Sequence, residues 1–116
     1  MKTTEYENIV FCIGETAKEN WELLDRLRQE NPDYVWFHLN SFSSPYVIMK
    51  TTLIELSSDE KRLHNCLLYA ATLCKQNTRY RHLNDIKVCY TTLKKLKPGN
   101  KVGEVIISGK RQTIKL

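Results

Sequence analysis

The chain has 116 residues, enough for one domain with a modest core and too few for two. Hydrophobic residues make up 41% of the sequence and charged residues 27%, which is typical of a folded globular protein and argues against disorder. The apolar runs are too short for a membrane-spanning helix, and the N-terminal segment lacks the apolar core of a signal peptide. We therefore expect a protein without membrane contact that is cytoplasmic, with a nuclear location left open.

The net charge of +5 is distributed very unevenly along the sequence. Residues 1–60 contain five Lys/Arg and eleven Asp/Glu, for a balance of −6, whereas residues 61–116 contain thirteen and two, for a balance of +11. A separation of this size within one domain favours a basic surface that binds a polyanion such as a nucleic acid.

Four cysteines occur in the sequence, and no two of them form a CxxC pair; they are Cys12, Cys66, Cys74 and Cys89. Without a secretion signal, this pattern predicts reduced thiols in the core. Metal ligation is disfavoured because structural metal sites use closely spaced ligand pairs. We expect neither a metal nor another cofactor.

The first predicted elements are a strand over residues 9–13, ended by Gly14, and a helix over residues 17–30. Thr16 and Glu19 have the spacing of a capping box, which marks the start of this helix. Pro32 stops the helix before the next strand begins.

Residues 32–50 form the central stretch of the chain. Bulky side chains on both sides of residues 35–39 predict an interior strand. Residues 40–45 are expected to form a turn and residues 46–50 the partner strand. Residues 51–56 are β-prone, and are expected either to extend that strand or to bend away from it.

The longest predicted helix opens at a second capping box, Ser57 with Glu60, and ends near Asn77. Its buried stripe contains Leu63, Cys66, Leu67, Ala70, Ala71 and Cys74. A strand over residues 86–91 follows, and residues 105–107 with residues 113–116 are expected to close the chain as a hairpin. The pattern predicts an α+β fold over a single domain 1–116, with a mostly antiparallel sheet of about five or six strands and two helices packed on it.

Two basic segments are candidates for nucleic-acid contact. Arg79-Tyr80-Arg81 combines cations for phosphates with a ring for a base face. A second cationic strip contains Lys94, Lys95, Lys97 and Lys101. His38 has two interpretations, a contact with a phosphate or base edge, or a buried imidazole bonded to a backbone carbonyl. Trp36 is expected in the core.

Taken in order, these residues resemble the NFACT-R domain family. That family is a predicted RNA-binding module of the ribosome quality-control NFACT proteins and of the coiled-coil domain-containing protein 25 type. The resemblance runs from Gly14 to the last predicted strands and rests on six features in order: Gly14 with Asn20 and Leu23; Trp36-Phe37-His38; Ser43, Ser44 and Val47; Ala70-Ala71-Thr72-Leu73 with Lys75, Asn77 and Thr78; Val88-Cys89-Tyr90-Thr91; and Val102-Gly103. Two positions depart from the family: its usual acid falls at Tyr34, and its usual second histidine falls at Tyr46.

The resemblance implies RNA as the ligand, either tRNA or ribosome-associated rRNA, with the ribosome or translation factors as further partners. Together with the basic segments it assigns RNA contact to His38, Ser43, Ser44, Tyr46, Lys50, Arg79, Tyr80, Arg81, Lys94, Lys95, Lys97 and Lys101. We therefore expect a non-catalytic RNA-binding module, because no nucleophile elbow and no glycine-rich phosphate loop occur.

Three other functions stay open. They are a DNA-binding or sensing module, a protein–protein adaptor in translation quality control, and an RNA-modifying enzyme centred on His38. The sequence does not specify the oligomeric state.

Overall fold

The structure is a computed structural model that describes residues 1–116. Its helices and strands in chain order are β1 (Lys2–Tyr6), β2 (Ile9–Ile13), α1 (Ala17–Glu30), β3 (Val35–Leu39), β4 (Val47–Met49), α2 (Leu53–Leu56), α3 (Glu60–Gln76), β5 (Lys87–Thr92), β6 (Leu96–Pro98), β7 (Val105–Ile107) and β8 (Gln112–Lys115). A short 3₁₀ turn, Leu93–Lys95, joins β5 to β6.

Six strands form one sheet in the order β1-β2-β4-β3-β5-β8, and every neighbouring pair is antiparallel. The strands β6 and β7 form a separate two-stranded antiparallel sheet. β3 lies between β4 and β5, which confirms the prediction of an interior strand. The predicted α+β fold, with a mostly antiparallel sheet and two long helices, is confirmed as well.

The two long helices cover opposite faces of the six-stranded sheet. One face of the sheet packs on α3. The buried side chains of α3 are small, which lets the helix lie close to the sheet; they are Cys66, Ala70, Ala71 and Cys74. The other face packs on Leu23, Leu24 and Leu27 of α1. β3 alternates between these two layers, since Val35 and Phe37 point to the first and Trp36 points to the second. Burial on both faces explains why this strand has a continuous apolar sequence.

The predicted first capping box is present. The Thr16 hydroxyl accepts a hydrogen bond from the Glu19 backbone N–H at 3.1 Å, and the Glu19 carboxylate accepts one from the Glu15 backbone N–H at 3.0 Å. These bonds satisfy N–H groups that a helix N-terminus leaves without intrahelical partners. The helix runs over Ala17–Glu30, so both predicted ends are confirmed.

The second predicted capping box is wrong. Asp59 is the N-cap of α3, and its carboxylate accepts from the Arg62 backbone N–H at 3.1 Å. Ser57 instead ends α2, a single turn capped by Thr52. Of the two alternatives for residues 51–56, the chain therefore bends away from β4, and it does so as a short helix.

The predicted closing hairpin is also wrong, and two strands, β1 and β6, were not predicted. β7 pairs with β6, whereas β8 pairs with β5, so the two segments lie in different sheets. β1 precedes the first predicted strand and pairs with β2 through a turn at Glu7 and Asn8, both at positive φ. Such a turn matches the right-handed twist of a hairpin.

All four cysteines are free and buried, which confirms the prediction of core thiols. Burial raises the pKa of each thiol, and it raises the pKa of Cys74 to about 12. These thiols are therefore protonated near neutral pH. None of the helices combines the length and the apolar composition that a bilayer crossing requires.

Candidate nucleic-acid interface

A groove of about 880 Å³ opens at the end of β3 where Leu39 lies. We call this the groove end of the sheet. The opposite end, where Val35 lies, we call the paired end, because its lysines form ion pairs. The walls of the groove are the N-terminus of α1, the β3–β4 loop (residues 40–45), the segment after α3 (residues 77–80) and the loop over residues 101–105. Trp36, His38 and Cys89 line it from the sheet.

His38 is held in place by two rings and one carbonyl. Its imidazole stacks on Trp36 at 5.5 Å between ring centroids, and it meets the edge of Tyr46 at 5.6 Å. Its Nδ1 lies 2.7 Å from the Leu39 carbonyl oxygen, which assigns the proton to Nδ1 and leaves Nε2 as an acceptor. Burial lowers the pKa of His38 more than the carbonyl raises it. The ring is thus neutral at pH 7 and provides no cation for a phosphate.

The two serines assigned to RNA contact have different environments. The Ser44 hydroxyl accepts from the Leu39 backbone N–H and donates to the Pro45 carbonyl, each at 3.0 Å. Its only proton is therefore used inside the β3–β4 loop. Ser43 is exposed and lines the groove. Ser43 remains available to a ligand, whereas Ser44 shapes the loop.

An aromatic stack stands on the rim of the groove. The rings of Phe42 and Tyr80 lie 4.4 Å apart between centroids at an interplanar angle of 29°. The Arg79 guanidinium carbon lies 5.2 Å from the Tyr80 centroid, and the same guanidinium donates to the Tyr80 hydroxyl at 3.0 Å. Thr78 fixes this segment, because its hydroxyl donates to the Lys75 carbonyl and accepts from the Tyr80 backbone N–H. Phe42 and the adjacent Arg79 and Tyr80 come from separate loops, and the fold brings them together.

Three cations line the groove: Arg79, Lys101 and Arg111. None of them forms an ion pair with a carboxylate of the chain. Two acids also line the groove, and both are engaged elsewhere. Glu15 pairs with the N-terminal amine and Lys2, and the Glu104 carboxylate accepts from the Asn100 backbone N–H at 3.1 Å. The bond to Glu104 does not neutralise its carboxylate, so three cations face one unpaired carboxylate and the groove lining keeps a net positive charge.

Two hydrogen bonds to adjacent backbone carbonyls hold the loop that carries Lys101 against the rest of the domain. The Trp21 indole N–H donates to the Glu104 carbonyl at 2.9 Å, and the Tyr46 hydroxyl donates to the Gly103 carbonyl at 2.6 Å. Only 1% of Tyr46 is exposed. The assignment of Tyr46 to RNA contact is therefore wrong, because the ring is in the core and its hydroxyl is used to position this loop.

The predicted second cationic strip does not exist as one surface. Lys94 lies at the paired end, where its amine is 2.8 Å from the Asp33 carboxylate. Lys50 lies at the same end, 2.9 Å from the Glu30 carboxylate. β3 separates this end from the groove by about 14 Å, at roughly 3.4 Å per residue. Lys95 and Lys97 are exposed but do not line the groove, so Lys101 alone of the strip belongs to it.

The remaining assigned residues lie at or beside the groove. Arg79 and Tyr80 line it, and Arg81 is exposed next to them, with its guanidinium donating to the Thr78 carbonyl. Sequence reasoning missed Phe42 and Arg111. An aromatic residue inside a Ser/Pro turn has no neighbouring strands to cover its ring, so this pattern could have identified Phe42. Arg111 had no signal of its own, because β8 was assigned to the wrong hairpin.

Comparison with known proteins gives a likeness among solved structures. No family model matches the sequence, and no curated protein matches it either. Among solved structures, the chain is similar to the C-terminal part of the fibronectin/fibrinogen-binding protein from Streptococcus suis, with a TM-score of 0.75 and 22% sequence identity. The match covers 93% of this chain and 41% of that one. At this identity the likeness shows a shared fold.

Proposed function

We propose that this domain is a non-catalytic RNA-binding module whose ligand lies in the groove. The observation that carries the proposal is the convergence of Arg79, Lys101 and Arg111 on one groove without carboxylate partners. Unpaired cations on a concave surface attract a chain of phosphates, and release of the counterions of those phosphates drives binding. The resemblance to NFACT-R makes tRNA or ribosome-associated RNA the proposed source of that chain.

The reactive groups of the groove favour binding over catalysis. A nucleophilic cysteine needs a lowered pKa, whereas burial raises the pKa of Cys89. The Ser44 hydroxyl donates to Pro45, and the His38 Nδ1 proton is directed at a carbonyl. Cys89 and Ser44 are thus protonated or engaged in the fold. The unprotonated His38 Nε2 and the exposed Ser43 hydroxyl are the groups that an enzyme would have to use.

The first experiment measures the affinity of the full chain for a short labelled single-stranded RNA over a range of salt concentrations. We expect log Kd to rise linearly with log salt, by about 0.7 for each phosphate held. Affinity that does not change with salt would contradict the proposal. Competition with DNA of the same sequence then separates RNA binding from the DNA alternative, because equal competition means that the groove does not read the 2′-hydroxyl.

A protein ligand is the competing function. The Streptococcus suis protein is named for binding fibronectin and fibrinogen, and the adaptor hypothesis likewise places a protein against this domain. Pull-down from cell extract before and after nuclease treatment distinguishes the two. Partners that disappear with nuclease support RNA binding, and partners that remain while no RNA is bound support the adaptor. An RNA-modifying enzyme would instead lose product formation in His38→Ala while still binding RNA.

A further inference from the structure

We propose that the Phe42 ring is a stacking platform for one unpaired base, with Arg79, Lys101 and Arg111 holding the phosphates beside it. The inference rests on the proposed function and deepens it, because it names the part of the nucleic acid that the groove recognises. It assigns the platform to Phe42 and gives Tyr80, the aromatic residue that the sequence suggested, a supporting role.

Phe42 has an open ring face and Tyr80 does not. Tyr80 is covered on one side by Phe42, its hydroxyl accepts from Arg79, and its ring packs against the core cluster under α3. Phe42 belongs to neither core cluster and is 39% exposed. Since Tyr80 covers one face of Phe42, an incoming base would reach the ring from its exposed side. Tyr80 with Arg79 therefore forms a rigid support under an open ring.

A second stacked pair in the molecule shows what structural packing of two rings looks like here. Tyr6 and Tyr69 also lie 4.4 Å apart, at 11°. The Tyr69 ring, however, meets the edge of the buried Phe11 at 4.9 Å, and its hydroxyl bonds to the Thr4 hydroxyl at 3.0 Å. That pair extends the core to the surface. The Phe42 ring, by contrast, lies on the rim of a cationic groove and belongs to neither core cluster, so core packing does not account for its position.

The neighbouring charges indicate which planar ligand would use the platform. Nucleic-acid bases stack on aromatic side chains, and the chain that carries those bases brings a phosphate on either side. Three unpaired cations line the same groove as Phe42, and exposed polar groups at Ser41, Ser43 and Asn77 line it as well. An unpaired base with its flanking phosphates satisfies the ring, the cations and the polar groups together. A duplex satisfies only the cations, because its base faces are covered by their neighbours.

The test uses single-stranded RNA with one 2-aminopurine, a base whose fluorescence is quenched on stacking. We expect wild-type protein to quench the probe. Phe42→Leu, which keeps an apolar side chain but removes the ring, should abolish the quench and weaken binding roughly fivefold to a hundredfold, as 1–3 kcal/mol per stacked base converts. Phe42→Tyr should retain both the quench and the affinity, which shows that the loop still folds with a ring in place.

Two controls separate stacking from charge and from general damage. Phe42→Leu should leave the slope of log Kd against log salt unchanged, whereas Lys101→Gln should reduce that slope by about 0.7 and leave the quench intact. Tyr6→Leu alters the other stacked pair and should change neither. RNA duplex of the same sequence should bind more weakly than the single strand.

The outcomes distinguish failure of this inference from failure of the proposed function. If wild-type protein binds no nucleic acid, both are overturned. If single-stranded RNA binds with the expected salt slope but Phe42→Leu binds equally well, the platform is overturned and the cationic groove stands. Equal affinity for duplex and single strand, or a quench that survives in Phe42→Leu, also overturns the platform. The platform is supported if Phe42→Leu loses both the quench and the affinity while Phe42→Tyr and Tyr6→Leu keep both.

Discussion

The two ends of β3 both carry basic side chains, but their charges are balanced in different ways. At the paired end, Lys50 and Lys94 each meet a carboxylate within 3 Å, from Glu30 and Asp33. At the groove end, the cations have no carboxylate partner, while the nearest acids are bound to other groups. The comparison teaches that net charge identifies a basic half of the chain, whereas the pairing of each charge identifies the surface that can attract a ligand.

The largest expected effect follows directly from this difference. The double variant Lys101→Gln with Arg111→Gln should weaken RNA binding roughly fifteenfold near 0.15 M salt, because each phosphate that is no longer neutralised weakens binding about fourfold. Lys50→Gln with Lys94→Gln removes the same charge from the paired end and should change affinity less than about twofold. Titration of a labelled RNA with each double variant and with the wild type measures both effects. Equal weakening would show that the ends of the sheet do not differ as ligand surfaces.

A second expectation concerns the loop that carries Lys101. Gly103 has φ +87°, and a Cβ there would lie 2.8 Å from the Ala17 Cβ. Gly103→Ala should therefore destabilise the domain by about 1–2 kcal/mol through the left-handed backbone alone, with a further destabilisation from the clash. It should also weaken RNA binding, because the loop must move away from α1.

Gly109 provides the matched control for this variant. It has φ +78°, and a Cβ at this position would meet no atom within 4 Å. Gly109→Ala should carry only the backbone cost and leave RNA affinity intact. Urea denaturation of both variants, followed by RNA titration, measures the difference. A Gly103→Ala protein no less stable than Gly109→Ala would show that the loop is not held against α1.

The contributions of the two ends to the stability of the domain should also be lost in different pH ranges. At the groove end, burial lowers the pKa of His38 below 6.5, so the unfolded chain takes up this proton first and stability falls as the pH drops below about 6.5. At the paired end, the bond from Lys50 and then that from the Tyr34 hydroxyl lower the pKa of Glu30 below 4.5, so its contribution is lost only below about pH 4.5. His38→Asn should remove the first range and keep the second. Urea denaturation at a series of pH values tests this, and an unchanged profile in His38→Asn would contradict it.

The smallest effect is expected from the ion pairs at the paired end. Both partners of the Lys94–Asp33 pair are about half exposed, at 56% and 47% of their side chains. Exposed pairs of this kind contribute about 0.2–1 kcal/mol, because water competes for both charges. A double-mutant cycle with Lys94→Ala and Asp33→Ala should give a coupling within that range. A much larger coupling would mean that the pair is a structural element of the fold as well as a neutralised charge.

The correctly predicted parts of the fold are those that neighbouring residues determine, such as helix ends, or that burial on both faces of a strand makes continuously apolar. Thr16 and Pro32 bound α1 because a cap and a breaker act within a few residues. β3 was identified because helices cover both its faces. β1 was missed since an edge strand with mostly exposed, polar side chains lacks an apolar pattern. β8 was misplaced because its partner β5 is not its neighbour in sequence, and β7 was misplaced because its actual partner β6 is only three residues long and ends in a proline.

The candidate site was predicted in part for the same reason. Arg79 and Tyr80 are adjacent in sequence, so their combination of charge and ring was visible there. Their convergence with Phe42 and Arg111 requires the sheet to bring three loops to one end, and this cannot be read from spacing. Ser44 and Tyr46 were assigned to the ligand through the family resemblance, but both hydroxyls are used within the fold.

Tyr46 links three parts of the domain through separate groups. Its backbone carbonyl accepts from the Gly14 N–H at 2.9 Å, its backbone N–H donates to the Asn20 side chain at 3.1 Å, and its hydroxyl reaches Gly103. The length of this one side chain therefore sets how far the 101–105 loop stands from the sheet. A histidine at this position would be too short to make the same reach. Exchange of residue 46 during evolution would thus alter the width of the groove, and residues 101–105 would have to change with it.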